Sequence, residues 1–185
     1  MVRDLQIVRP AEKDLPSAYR VFEASITDAF LKDGLGHLKE DLLNEIEYKK
    51  SLLTDSVENA DSDMLFMLAK TGDLVIGTIS YGPCGDDIKI CTDNQLDAVG
   101  EVGSIYVLPE YYGQGVASAL IGAMAAYLYQ SGVEQFCLDS GYKHAQKRWL
   151  RKFGEPYKIA KDYWGEGSDH MIWLCKVIDY VKGCD

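Results

Sequence analysis

The chain has 185 residues, of which 47% are apolar, 26% charged and 11% aromatic. That is ordinary globular composition, long enough to bury about 70% of the surface exposed when unfolded, and it excludes a disordered or fibrous chain. Nineteen Lys and Arg against 29 Asp and Glu leave a formal net charge of −10, which argues against nucleic acid or an anionic membrane as partner and favours a cationic or neutral ligand.

Met1-Val2-Arg3-Asp4-Leu5-Gln6 carries no apolar signal core, and the near-apolar run from Val116 to Tyr129 is too short to span a bilayer. A cytoplasmic location is expected. Leu5 to Arg9 reads as a strand closed by Pro10. Asp14 is predicted to cap a helix that has Pro16 in its first turn and Ala18, Val21, Phe22, Ile26, Ala29 and Phe30 on one buried stripe. Gly34 and Gly36 end it. Leu38, Leu42, Leu43, Ile46 and Leu53 mark a second amphipathic helix with an acidic, lysine-rich outer face.

Met64 to Lys70 and Leu74 to Tyr81 read as a hairpin turning at Thr71-Gly72-Asp73. Pro83 to Asp97 reads as polar and irregular, with Ile88 and Ile90 offering an extra strand. Gly100 to Leu108 is a long strand before Pro109, and Gly113-x-Gly115 opens a helix that runs to Gln130. Gln135 to Leu138 is a strand, and Ala145 to Phe153 a short basic helix ended by Gly154. Tyr157 to Lys161 and Met171 to Ile178 are strands around a loop rich in glycine and acid. Interleaved strands and helices predict one domain over residues 1–185 with a mixed-sheet α/β (α+β) fold.

Five cysteines, Cys84, Cys91, Cys137, Cys175 and Cys184, form no C-x-x-C pair, and His37, His144 and His170 show no ligand spacing. Neither a disulfide framework nor a metal site is expected. The informative stretch is Ile105 to Leu120, where a strand enters a tight turn and a helix starts at once. Free N–H groups and the positive end of the helix dipole then point into the turn, a site suited to phosphate. Small residues at 113, 115 and 117 let a ligand approach the backbone. The alternative is a glycine turn without a ligand. It is not a Walker loop, for no Gly-Lys-Ser/Thr follows, and it is a poor dinucleotide fingerprint.

Strand, Pro109-Glu110-Tyr111, glycine turn and helix together resemble the central motif of the GNAT superfamily of acyl-CoA-dependent N-acetyltransferases. The signature Q/R-x-x-G-x-G/A would be Tyr112-Gly113-Gln114-Gly115-Val116-Ala117. Ile7 to Leu15 looks like the family's opening strand and helix cap, Val75 to Ile79 like its third strand, and Trp149 to Gly154 stands where its last helix ends. Tyr112 departs from Gln/Arg, Lys143 falls near a frequent Asn, and Leu150 falls on a frequent general-acid Tyr. The resemblance implies a mixed, mostly antiparallel sheet of six to seven strands flanked by about four helices.

It also implies acetyl-CoA as cosubstrate, with no metal. Ile105, Tyr106 and Val107 would run beside the pantetheine arm, and the Val107 N–H would face the thioester oxygen. Tyr112, Gly113, Gln114, Gly115, Val116, Ala117 and Ser118 would hold the pyrophosphate. Glu101 stands where some members carry a general base, with His144 and His170 as rivals, and Tyr163 is the remaining proton donor. No Lys or Arg occurs from Cys91 to Tyr142, so Lys143, Lys147, Arg148, Arg151 and Lys152 form the reserve of cations, unless they are a solvated helix face.

In Asp162 to His170, acid with two aromatics suits a cation, or is only a polar hairpin tip; Trp164, Glu166 and Asp169 are the candidate acceptor residues. The expected reaction is acetyl transfer to a primary amine of a small cationic metabolite. A non-catalytic acyl-CoA-binding module and a protein N-terminal or lysine acetyltransferase are the alternatives, and a homodimer is left open.

Overall fold

The apolar runs read as strands join into one seven-stranded sheet in the computed structural model, which describes residues 2–181. Its strands are β1 (Leu5–Val8), β2 (Leu65–Thr71), β3 (Leu74–Gly82), β4 (Glu101–Val107), β5 (Gln135–Ser140), β6 (Lys158–Ala160) and β7 (His170–Lys176). They lie in the order β1-β2-β3-β4-β5-β7-β6. Neighbours are antiparallel except β4 and β5, which are parallel. The helices are α1 (Leu15–Lys32), α2 (Lys39–Glu58), α3 (Asp86–Cys91), α4 (Val116–Gln130) and α5 (Lys143–Phe153). Cys184 lies outside the described residues; Cys84, Cys91, Cys137 and Cys175 are buried free thiols. No helix among the described residues is long and apolar enough to cross a membrane.

Two local expectations are corrected. The segment with Ile88 and Ile90 is not a strand but α3. A strand would put both side chains on one face; here Ile88 is fully buried and Ile90 is 63% exposed. Ile88 packs with Cys84, Cys91 and Leu96 against Cys137 and Ile172 of the sheet. Asp14 does not cap α1 with its side chain. Its carboxylate accepts the Ala11 N–H at 3.0 Å and pairs with Lys70 Nζ at 2.6 Å. Burial pushes its pKa up, but Lys70 and the Ala11 N–H outweigh that and hold it below the usual value.

One face of the sheet carries Glu101, Gly103, Tyr106, Cys137 and Asp139, as the strand registers require. Tyr106 meets Phe22 of α1 edge-on on this face. The opposite face is covered by α4 and α5. Gly77 lies beneath α4, where a Cβ would meet Val116 and Leu120 at 3.1 Å, so this approach needs glycine. Phe153 of α5 packs on Phe136 of β5.

The feature that makes the site is a bulge in β4. Thr78 pairs with Tyr106 and Ser80 with Gly103, so Ser104 and Ile105 both oppose Ile79. Ser104 has φ +47°, and its carbonyl accepts the Thr78 hydroxyl at 2.8 Å. β4 and β5 pair only at Glu101 and Cys137, where Cys137 N–H donates to Gly100 O at 2.9 Å. Beyond that rung the bent β4 parts from β5 and leaves a wedge.

Candidate active site

The wedge is a cleft of about 270 Å³. Ile105, Tyr106 and Val107 form its β4 wall, and Tyr112, Ala117, Ser118 and Ile121 come from the turn and α4. Ala145, Arg148, Trp149 and Lys152 of α5 face them, with Tyr142 at the N-cap of α5 and Ser25 and Ala29 of α1 closing one side. The lining thus brings together most of the sequence-predicted cofactor residues. Gly113, Gln114 and Gly115 form the turn beside it. Val116 is 1% exposed, so its side chain belongs to the core and only its backbone is on offer.

The backbone of Val107 is aimed into the gap. Leu108 N–H donates to Ile76 O across β3, so the preceding residue presents its N–H and C=O to the other edge. The Val107 carbonyl there accepts the Ser25 hydroxyl at 2.7 Å. Its N–H points the same way.

Gly113 has φ +74° and Gly115 φ +86°, and nothing lies within 4 Å of where either Cβ would be. A close turn with an open outer side results. Gly115 is the N-cap of α4 and has no side-chain cap, so the first-turn N–H groups keep their donors for a ligand.

Tyr112 takes the place of the signature's Gln or Arg and gathers cations instead. The Arg148 guanidinium lies 4.8 Å from its ring centroid and Lys32 Nζ 4.7 Å, while its hydroxyl donates to Asp28 at 2.9 Å. Burial, then Asp28, pushes the Tyr112 phenol up to about 12. The basic helix therefore divides: Arg148 and Lys152 line the cleft, and Lys147 is exposed outside it. Asp33, just past α1, accepts the N–H groups of Lys143 and His144 and the His144 ring, which fixes the start of α5.

Glu101 sits at the closed end of the wedge, on an interior strand. Its Oε2 accepts the Gly85 N–H at 2.8 Å. Burial, then the Asp139 carboxylate, raises its pKa to about 7, against the opposing pull of the Gly85 N–H and Lys49. Tyr163 lies apart from the cleft lining and donates to Asp87 at 2.8 Å; that bond, then burial, pushes its phenol up to about 12.

Within the loop before β7, Trp164 Nε1–H donates to His170 Nδ1 at 3.0 Å, and Glu166 is exposed. Asp169 is engaged by Lys161 at 2.8 Å and by the Asp162 N–H at 3.0 Å. Gln146 of α5 donates to both Ser140 O and Asp169 O at 2.8 Å, which ties the loop to the helix beside the cleft.

Ser25, Ala29, Tyr142 and Trp149 were not singled out as site residues by the sequence. Ala145, Arg148, Trp149 and Lys152 recur at i, i+3, i+4 and i+7, a helix face that spacing could have shown. Tyr142 rests on Phe30 at 5.7 Å between ring centroids, and burial together with Glu45 and Asp33 holds its phenol well above the usual value.

The sequence model of the acetyltransferase (GNAT) family matches residues 26–154. A search of the curated proteins found no match. Among solved structures, the chain is similar to a protein from Desulfovibrio desulfuricans regarded as a GNAT-family acetyltransferase, with 18% identity, TM-score 0.69, and 94% of this chain and 99% of that one covered. It is similar to PaiA N-acetyltransferase from Thermoplasma acidophilum in complex with coenzyme A, at 16% identity and TM-score 0.66, over 94% and 99% of the two chains. A ribosomal-protein-S18-alanine N-acetyltransferase from Escherichia coli aligns at 15% identity and TM-score 0.60, with 94% of each chain covered.

Proposed function

The chain belongs to the GNAT acetyltransferase family, and on that premise we propose that it transfers the acetyl group of acetyl-CoA to a primary amine of a small cationic metabolite. The observation that carries the reading is the wedge between β4 and β5, with a glycine turn and two cations along it and Glu101 at its closed end. The residues present fit the cosubstrate. The turn is open where Cβ atoms would stand, the wall is apolar and backbone-lined, and Arg148 and Lys152 supply positive charge that residues 91–142 lack.

Acetyl-CoA supplies an acyl group already activated as a thioester. An alkylammonium of pKa about 10.4 is neutral in only about one molecule in 10³ at pH 7, so the protein's main task is to remove its proton. A carboxylate titrating near 7 suits that task; Glu101, which like Tyr163 is not among the cleft-lining residues, is assigned the role of general base acting through intervening water. The Val107 N–H, aimed into the wedge, donates to the oxygen that becomes negative. Tyr142, a cleft residue whose phenol stays protonated, is better placed than Tyr163 to give a proton to the leaving thiolate.

The cation reading of Arg148 is testable by calorimetry with CoA. Arg148→Ala is expected to weaken CoA about tenfold, the scale of one charge-assisted hydrogen bond, and to flatten the salt dependence. Lys147→Ala, outside the cleft, should leave affinity unchanged. Equal losses would return both residues to a diffuse surface field.

The net charge of −10 and the exposed Glu166 support a cationic acceptor. Glu166→Gln is expected to raise the acceptor KM several-fold and to leave that for acetyl-CoA constant. Asp169→Asn should act differently, because its carboxylate already holds Lys161. It should lower loop stability first. An unchanged acceptor KM in Glu166→Gln makes the segment a hairpin tip.

A further inference from the structure

Trp164, His170, Asp139 and Glu101 come from the 162–169 loop, β7, β5 and β4, and the strand registers put the last three on one face of the sheet. We propose that Trp164, His170 and Asp139 form a positioning chain through which the acceptor-side loop fixes a fully charged carboxylate beside Glu101. The proposal rests on the reading of Glu101 as the base.

The hydrogen bonds determine the protonation of the chain. An indole N–H only donates, so His170 Nδ1, 3.0 Å from Trp164 Nε1, is the lone-pair nitrogen. The ring's one proton is therefore on Nε2, which donates to Asp139 Oδ2 at 2.9 Å. A neutral donor leaves Asp139 its whole negative charge, whereas an imidazolium in the same place would offset it. His170 is 3% exposed, so water does not compete for its nitrogens.

The indole is itself held. It lies over Gly141, where a Cβ would come within 2.6 Å of Nε1, and meets Tyr163 edge-on at 4.9 Å. Tyr163 is anchored to Asp87 of α3 and stacks obliquely on His170 at 5.3 Å. Other groups also face the carboxylates. Asp87 adds negative charge from α3, Lys49 opposes it from α2, and Glu45 of α2 accepts from Tyr106. The Gly85 N–H binds Glu101, and the Cys84 and Cys137 thiols adjoin it. Lys161 and Asp169 pair at the base of the loop.

The consequence is a link between loop and base. While the indole stays on Nδ1, Asp139 keeps its charge and Glu101 keeps its proton to higher pH. Removing the indole by substitution frees the Nδ1 lone pair, and a proton taken there would offset the Asp139 charge that Glu101 faces.

The test is the side-chain carboxyl titration of Glu101 in protein carrying carbon-13 glutamate, its resonance identified by loss in Glu101→Gln. Asp139→Asn is expected to lower the midpoint by about one pH unit or more, since a like charge is removed. Trp164→Phe should lower it in the same direction by less. In Trp164→Phe/His170→Gln, which keeps a neutral donor that cannot protonate, the midpoint should return to its original place. An unmoved midpoint in both Asp139→Asn and Trp164→Phe, with melting temperatures showing them folded, overturns the chain. Failure of the base reading shows separately, as an acid limb of kcat/KM that survives in Glu101→Gln.

Discussion

Glu101→Gln is expected to lower kcat/KM at pH 7 by about a hundredfold or more and to abolish its acid limb. The starting deficit is the neutral fraction of the amine, about one in 10³ or somewhat less, a handicap of roughly 4.6 kcal/mol. A thiolate leaves with a pKa of only about 8.5, so help on that side is worth less. In the unaltered protein the rate should rise through pH 7, as the Glu101 carboxylate forms. The variant should instead recover with rising pH, because the amine then loses its proton unaided.

The same residue has a signature in stability. The folded pKa of Glu101 is raised from 4.5 to about 7, so the folded state binds more protons than the unfolded one between those values. Its contribution therefore favours folding at low pH and is lost as pH rises through that window. Glu101→Gln should melt above the parent at pH 8 and close to it at pH 5. Greater stability with lower activity is the expected pattern for a group held at a cost for function.

Gly115→Val is expected to abolish the rise in melting temperature that CoA gives. The position has φ +86° and open space on its Cβ side, so the added side chain enters the side on which a ligand approaches. The backbone strain itself, about 1–2 kcal/mol, lowers stability without regard to ligand. Gly132→Val is the matched control. Gly132 also has positive φ, +76°, and open space, but it stands beyond the far end of α4. That variant should lose stability and keep the CoA response. An undiminished shift in folded Gly115→Val would remove the turn from the cofactor site.

The parts legible in the sequence were those whose cause is local. The hairpin at Gly72 and the glycines at 113 and 115 are backbone chemistry written into adjacent residues. In sequence α3 reads as a strand because Ile88 and Ile90 alternate over a short run, and only packing on Cys137 and Ile172 decides for a helix. Asp14 resembles a cap, yet its partner Lys70 is 56 residues away. The same holds at the site. The bulge at Ser104 depends on Thr78, the Val107 carbonyl on Ser25, and the Tyr163 hydroxyl on Asp87, none of them near in sequence. Arg148 was identifiable as a cation, but its seat over Tyr112 required the fold.

The central claim is acetyl transfer at the β4–β5 wedge, and thiol release from acetyl-CoA across a panel of amines tests it most directly. Di- and polyamines, amino sugars, and peptides with a free N-terminus or a lysine make up the panel. The account predicts amine-dependent release, saturable in acetyl-CoA, highest for a small cationic amine and lost in both Gly115→Val and Glu101→Gln. CoA binding without release above the spontaneous rate for any amine would contradict it and leave an acyl-CoA-binding module of the same fold.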